Sequence, residues 1–149
     1  MITIHKTTPT DFDFLQLVNL LNADLAQKNG ENNDFFAAFN HSTDLDLVIV
    51  IYINNNPVGC GALKKYDDDH VEIKRMYVDL PYRKLGIAKI ILSNLEKFAQ
   101  EKGYQHTVLE TGMQMHPAIT LYKKCGYNQT DNYPPYQDVE ESVCFRKAI

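Results

Sequence analysis

The chain changes period at Pro81. Before it, VEIKRMYVDL (residues 71–80) has the composition of a strand. After it, Ile87, Ile90, Ile91, Leu95 and Phe98 recur on one helical face, with Lys89, Ser93, Glu96, Lys97 and Glu101 elsewhere. That spacing predicts a helix within residues 81–103, closed by Gly103. A strand that turns directly into an amphipathic helix needs a sheet for the helix to cover. The chain is therefore committed to a layered domain of both element types.

The rest of the sequence extends this pattern. Residues 2–6 read as a first strand. Thr8-Pro9-Thr10-Asp11 carries the signals of a helix start, with Thr8 as cap and Pro9 at the first helical position. Phe14, Leu17, Val18, Leu21 and Leu25 follow at helical spacing, and that helix should end near Asn29-Gly30. A short helix is expected over residues 34–39. Strands are predicted over 45–54, 58–66 and 70–79, separated by Asn/Pro and Asp turns, as an antiparallel meander. A further strand covers 106–110. His116-Pro117 opens a helix carrying Ala118, Leu121, Tyr122 and Cys125 on one side, with Gly126 at its end. A Pro134-Pro135 loop leads to a last strand over 142–147. The order β-α-α-βββ-α-β-α-β implies a single α+β domain over residues 1–149. Its central sheet is mixed and mostly antiparallel, flanked by helices.

Composition narrows the function. With 149 residues the chain can bury a full core without disulfides or metal. The net charge of −4 argues against nucleic acid as a partner. Cys60, Cys125 and Cys144 are odd in number and widely spaced, which fits free thiols in a reducing compartment. The five histidines have no metal-ligand spacing, so no metal is expected. Residues 47–53 form the longest apolar run, far below the roughly 20 residues of a membrane span. No signal-peptide pattern opens the sequence. These features predict a soluble, cytoplasmic protein with no membrane partner.

The chemistry concentrates at the change of period. Arg83-Lys84-Leu85-Gly86-Ile87-Ala88 feeds a helix N-terminus, where unpaired N–H groups and the helix dipole favour a phosphate. Gly86 allows close backbone approach, Ala88 keeps the first turn small, and Arg83, Lys84 and Lys89 add positive charge. The segment is neither GxxxxGK[ST] nor GxGxxG, so nucleotide P-loop and Rossmann readings fail.

The run VEIKRMYVDLPYRKLGIAKIILSNLEKFA resembles the signature region of the GCN5-related N-acetyltransferases, the GNAT family. Their [QR]xxGx[GA] hallmark matches Arg83, Gly86 and Ala88, and HPAITLYKKCGY (116–127) resembles their second conserved region. Lys84 and Leu85 stand where relatives often have Gly and a basic residue. The resemblance implies an acetyl-CoA-dependent N-acetyltransferase that moves the acetyl group directly to an amine. The donor would contact Met76, Tyr77, Val78, Arg83, Lys84, Leu85, Gly86, Ile87, Ala88, Lys89, His116 and Tyr122. The pantetheine arm would lie where the strand of Met76–Val78 splays from the strand at 106–110. The Val78 N–H would face the acetyl carbonyl, and the Tyr122 hydroxyl would protonate the leaving thiolate.

A lysine-like ammonium, with a pKa of about 10.4, is neutral in only about 1 in 2,500 molecules at pH 7. A base or a desolvating pocket is therefore needed. Glu72 is the first candidate for the base and Glu110 the second. His116 could serve as a base, and equally as a helix cap. The acceptor region should comprise 29–40 and 127–137, with Glu31, Asp34, Phe35, Phe36, Asn40, Asp131, Tyr133 and Tyr136. These residues suit a small primary amine. Acetylation of a protein or peptide, or acyl-CoA binding without turnover, are the alternatives. The last strand, around Val143 and Phe145, is a candidate contact for a homodimer.

Overall fold

The computed structural model describes residues 1–30 and 44–149. The helix expected over 34–39, and with it Glu31, Asp34, Phe35, Phe36 and Asn40, lies outside the described residues. The strands are β1 (Ile2–Thr7), β2 (Leu47–Ile53), β3 (Asn56–Lys65), β4 (His70–Val78), β5 (His106–Gly112), β6 (Asn128–Thr130) and β7 (Ser142–Ala148). Among the described residues the helices are α1 (Phe12–Asn29), α2 (Ile87–Glu101) and α3 (His116–Lys124), and a 3-10 turn spans Leu80–Tyr82. The seven strands form one sheet in the order β1-β2-β3-β4-β5-β7-β6. Each neighbouring pair is antiparallel except β4–β5, which is parallel.

The sheet is covered on both faces. On one face, α1 buries Phe14, Leu17, Val18 and Leu21 against Val48, Val50, Cys60, Ala62 and Tyr77. On the other, α2 buries Ile87, Ile91, Leu92, Leu95 and Ala99 against Ile49, Ile51, Leu63, Ile73 and Leu109. Burying the four large aliphatic side chains of α2 contributes about 6–12 kcal/mol. Leu92 and Ala99 join this stripe, while Ile90 and Phe98 sit at its margin. The α2 contact is close because β3 carries glycine. A Cβ on Gly61 would lie 2.6 Å from Ile91 Cγ2 and 2.9 Å from Leu95 Cδ1.

Several local expectations need correction. The cap of α1 is Asp11, whose carboxylate accepts from the Phe14 N–H at 3.0 Å. Thr8 instead begins a turn, since its carbonyl accepts from the Asp11 N–H. The start of α2 needs none: Pro81 lies in the 3-10 turn, and the helix begins at Ile87 after the Arg83–Gly86 stretch that feeds it. His116 is the first residue of α3 and makes no side-chain cap bond; Met115 holds the cap position. The three-residue β6 is too short to leave a periodic signal in the sequence.

Candidate active site

β4 and β5 pair over only three positions, His70–His106, Val71–Thr107 and Glu72–Val108. Beyond them β4 runs on to Val78 beside β3, while β5 runs on to Gly112 beside β7. The sheet is thus open between two strands that each keep an outer partner. A β-bulge aims β4 at this gap. Gly61 faces two residues, Arg75 and Met76, because Cys60 pairs with Tyr77 and Ala62 with Lys74. Arg75 takes the left-handed backbone, at φ 56°. At the end of β4 the Asp79 N–H donates to the Val58 carbonyl at 2.8 Å. By antiparallel alternation, the N–H and carbonyl of Val78 point away from β3, toward the gap.

The turn after β4 ends in Gly86, at φ 83°, which supplies the left-handed cap of α2. The first intrahelical bond runs from the Ile90 N–H to the Gly86 carbonyl. The N–H groups of Ile87, Ala88 and Lys89 have no helical acceptor, which is the arrangement that receives a phosphate. Lys84, Leu85 and Lys89 are exposed around them. A groove of about 380 Å³ leads off the turn along α2, lined by Gly86, Lys89, Ile90 and Ser93, with Cys125 and Lys147 opposite. Arg83 behaves differently from its neighbours. Its Nε donates to the Val78 carbonyl at 2.8 Å, and its guanidinium lies 3.8 Å from Asp24 and 5.5 Å from the Tyr77 ring centre. Arg83 therefore engages β4 and α1.

Tyr122 reaches the gap from the α2 side. Its ring packs on Tyr127 and Phe145, and its hydroxyl bonds to no described residue. Burial, with the Glu110 charge second, pushes the phenol up to about 12, so it stays protonated at neutral pH. Glu110 stands on β5 two residues beyond the last β4 pair, and its field reaches Tyr122. Ser142 Oγ donates to Glu110 at 2.6 Å. Burial nevertheless raises the Glu110 carboxyl above its ordinary range, against the pull of Ser142 and Lys74.

Glu72, on the α1 face, is buried and engaged. Its Oε2 accepts from the Tyr133 hydroxyl at 2.8 Å, and its Oε1 lies 3.8 Å from Lys74 Nζ. Lys74 also donates to the Tyr136 hydroxyl at 3.3 Å. Burial lowers the Lys74 ammonium below its usual range, with Glu72 opposing. Of the acceptor candidates in the last loop, Tyr133 is half-buried and Tyr136 fully buried, while Asp131 is exposed. His116 is exposed at the start of α3. Glu72 thus stands at the last β4–β5 pair, with Glu110 beyond it on β5 within reach of Tyr122, Val78 beyond it on β4, and the turn of Gly86 to Lys89 following Val78. Arg75 and Ser142 escaped the sequence reading. Consecutive Lys74-Arg75 within an apolar strand was the available signal, since a regular strand would send one of them into the core. Among the described residues no group of His, Cys, Asp and Glu could hold a metal ion. No described helix is long and apolar enough to cross a membrane.

The family profile of the Acetyltransferase (GNAT) family matches residues 14–127. The chain belongs to the GNAT family. YsnE of Bacillus subtilis, described as an uncharacterized N-acetyltransferase, is 34% identical over 93 residues, 61% of this chain and 62% of its own length. The match to a relative from Xenopus tropicalis spans 49% of that protein. A crystal structure from Klebsiella pneumoniae, assigned as an acyl-CoA N-acyltransferase, superposes with a TM-score of 0.82 at 30% identity. That alignment covers 99% of this chain and 97% of that one. A GNAT family acetyltransferase from Elizabethkingia anophelis, crystallised with acetyl-CoA bound, shares the fold at a TM-score of 0.73 and 22% identity, over 99% and 98% of the two chains.

Proposed function

We propose that this GNAT domain transfers the acetyl group of acetyl-CoA directly to the primary amine of a small molecule. The observation that carries this is the opening between β4 and β5, with free amides at one end and proton-handling side chains at the other. The residues fit the donor. Ile87, Ala88 and Lys89 offer N–H groups to a pyrophosphate, with the charge of Lys84 and Lys89 nearby. Unpaired backbone of β4 can bind the pantetheine arm as an added strand. When bound, acetyl-CoA supplies a thioester whose carbonyl carbon is open to attack by an amine. Acetyl-CoA in the neighbour of the same fold supports this choice of donor.

The chain's own residues then have separate tasks. The Val78 N–H donates to the oxygen on which charge develops. Tyr122, held protonated by burial, donates toward the leaving sulfur. Glu110 takes the proton of the ammonium. A base works best when its pKa lies near the working pH, and burial moves Glu110 in that direction. Glu72, whose two oxygens face Tyr133 and Lys74, holds this polar wall in place and is a weaker candidate for the base. Cys144 is buried and its thiol is pushed up to about 11, which disfavours a covalent acetyl-cysteine route through it.

The test is release of CoA thiol from acetyl-CoA across a panel of amines, with calorimetry of CoA binding in parallel. Turnover of at least one small amine and saturable CoA binding are expected. No CoA binding would overturn the reading. Binding without turnover on small amines, but with turnover on peptides, would transfer it to the peptide class.

A further inference from the structure

Arg75 is a buried cation whose charge no described carboxylate meets. The residue is only 5% exposed, yet its Nε–H has no hydrogen-bond acceptor among the described residues. One terminal nitrogen donates to the Asn22 side chain on α1. Cys60, the thiol whose ionisation would favour the guanidinium, is kept neutral by burial. Its neighbour Lys74 is also buried, but has Glu72 and Tyr136 beside it. A desolvated guanidinium without an anion is costly, and proteins normally supply a partner.

The bulge explains how the side chain comes to be there. Lys74 pairs with Ala62, which belongs to the α1 face, and a regular strand would send the next residue to the other face. The left-handed backbone at Arg75 instead returns its side chain to α1, and Met76 goes to the α2 face. The Arg75 carbonyl accepts from Cys60 Sγ at 3.3 Å, which fixes this conformation from β3. Two consecutive cations therefore share the α1 face of β4, beside the gap. On the same face stand two carboxylates, Glu72 three residues back on β4 and Glu110 across the gap on β5. Glu110 is held from β7 by Ser142, Glu72 is matched by Lys74, and the Arg75 guanidinium lies toward α1.

We propose that Arg75 binds a carboxylate of the acceptor, so that the molecule acetylated here is amino-acid-like, carrying an amine and an acid. The ammonium end lies toward Glu110 and the acid end completes the donor set of Arg75, through Nε–H and a terminal N–H. This rests on the acetyl-transfer reading for the direction in which the amine points. A simple polyamine would leave the guanidinium without its anion and add a second cation beside it.

The experiment has two arms. In the first, acetylation by the full chain is compared for ω-amino acids from glycine to 6-aminohexanoate, for α-amino acids and dipeptides, and for the amide of each. The acids are expected to be preferred. Arg75→Gln should raise KM for the preferred acid by about 10- to 100-fold, the range for one charged hydrogen bond, and leave its amide unaffected. CoA affinity should stay within about twofold. In the second arm, the Arg75 Nε–H resonance of the wild-type protein is followed by NMR as the same acids are added without acetyl-CoA. A shift with acids, absent with amides, is expected. Equal use of acids and amides with no shift would overturn the proposal while leaving acetyl transfer standing. A shift without any turnover would support the carboxylate site and count against the transferase reading. An Arg75→Gln variant that loses stability and treats both series alike would make the residue merely structural.

Discussion

On the α2 face of the sheet, the groups at the site are mostly backbone: the N–H of Val78 and the N–H groups of Ile87, Ala88 and Lys89, backed by an aliphatic stripe. On the α1 face they are side chains from several segments: Glu72, Lys74 and Arg75 from β4, Glu110 from β5, Ser142 from β7 and Tyr133 and Tyr136 from the loop before it. Backbone donors held by a helix cap recognise any ligand with the right phosphates. Side chains held by long-range contacts recognise one chemistry. On the proposed function, the end that would hold the donor is general and the end that would hold the acceptor is selective. Tyr122 and Glu110 stand where the two meet.

The largest effect should come from the meeting point. Glu110→Gln is expected to lower kcat/KM by about 10²- to 10⁴-fold, the usual range for a general base. CoA affinity by calorimetry should not change. The active form is the carboxylate, so wild-type kcat/KM should fall as pH drops through the raised pKa of Glu110, above the ordinary 4.5. If Glu72→Gln removes that limb and Glu110→Gln keeps it, the two carboxylates have been assigned the wrong way round. Tyr122→Phe should cost kcat on the order of 10²-fold, again with CoA affinity retained, since the ring contacts to Tyr127 and Phe145 survive.

Smaller effects separate the two faces by stability. Gly61→Ala forces a methyl into Ile91 and Leu95 and should destabilise the domain by about 1–3 kcal/mol. At this size that is a fall of about 2–4 °C in Tm per kcal/mol, measurable by thermal melting. The smallest effect lies away from both. His106 stacks on His70 at 4.8 Å and sits beside Arg146, and burial followed by the Arg146 charge holds its pKa below 6.5. The folded state then takes up this proton less readily than the unfolded one. Stability should fall as pH drops below about 6.5, and His106→Gln should show a shallower fall in Tm between pH 7.5 and 5.5.

The donor half was legible because it is local. A strand, a turn with Gly86 and an amphipathic helix occupy neighbouring residues, and spacing alone exposes them. The acceptor half resisted for a physical reason. Tyr133 meets Glu72 across 61 residues and Ser142 meets Glu110 across 32, contacts that no window of sequence contains. The β4 bulge was marked only by Lys74-Arg75, two charges where alternation allows one.

The central claim is that the donor is held by particular backbone amides at the β4–β5 opening. Amide hydrogen exchange with and without CoA, read residue by residue, tests it directly. The account predicts that binding slows Val78, Ile87, Ala88 and Lys89, while β1 and β2 remain as they were. Saturating CoA binding that leaves those four amides unchanged would contradict it.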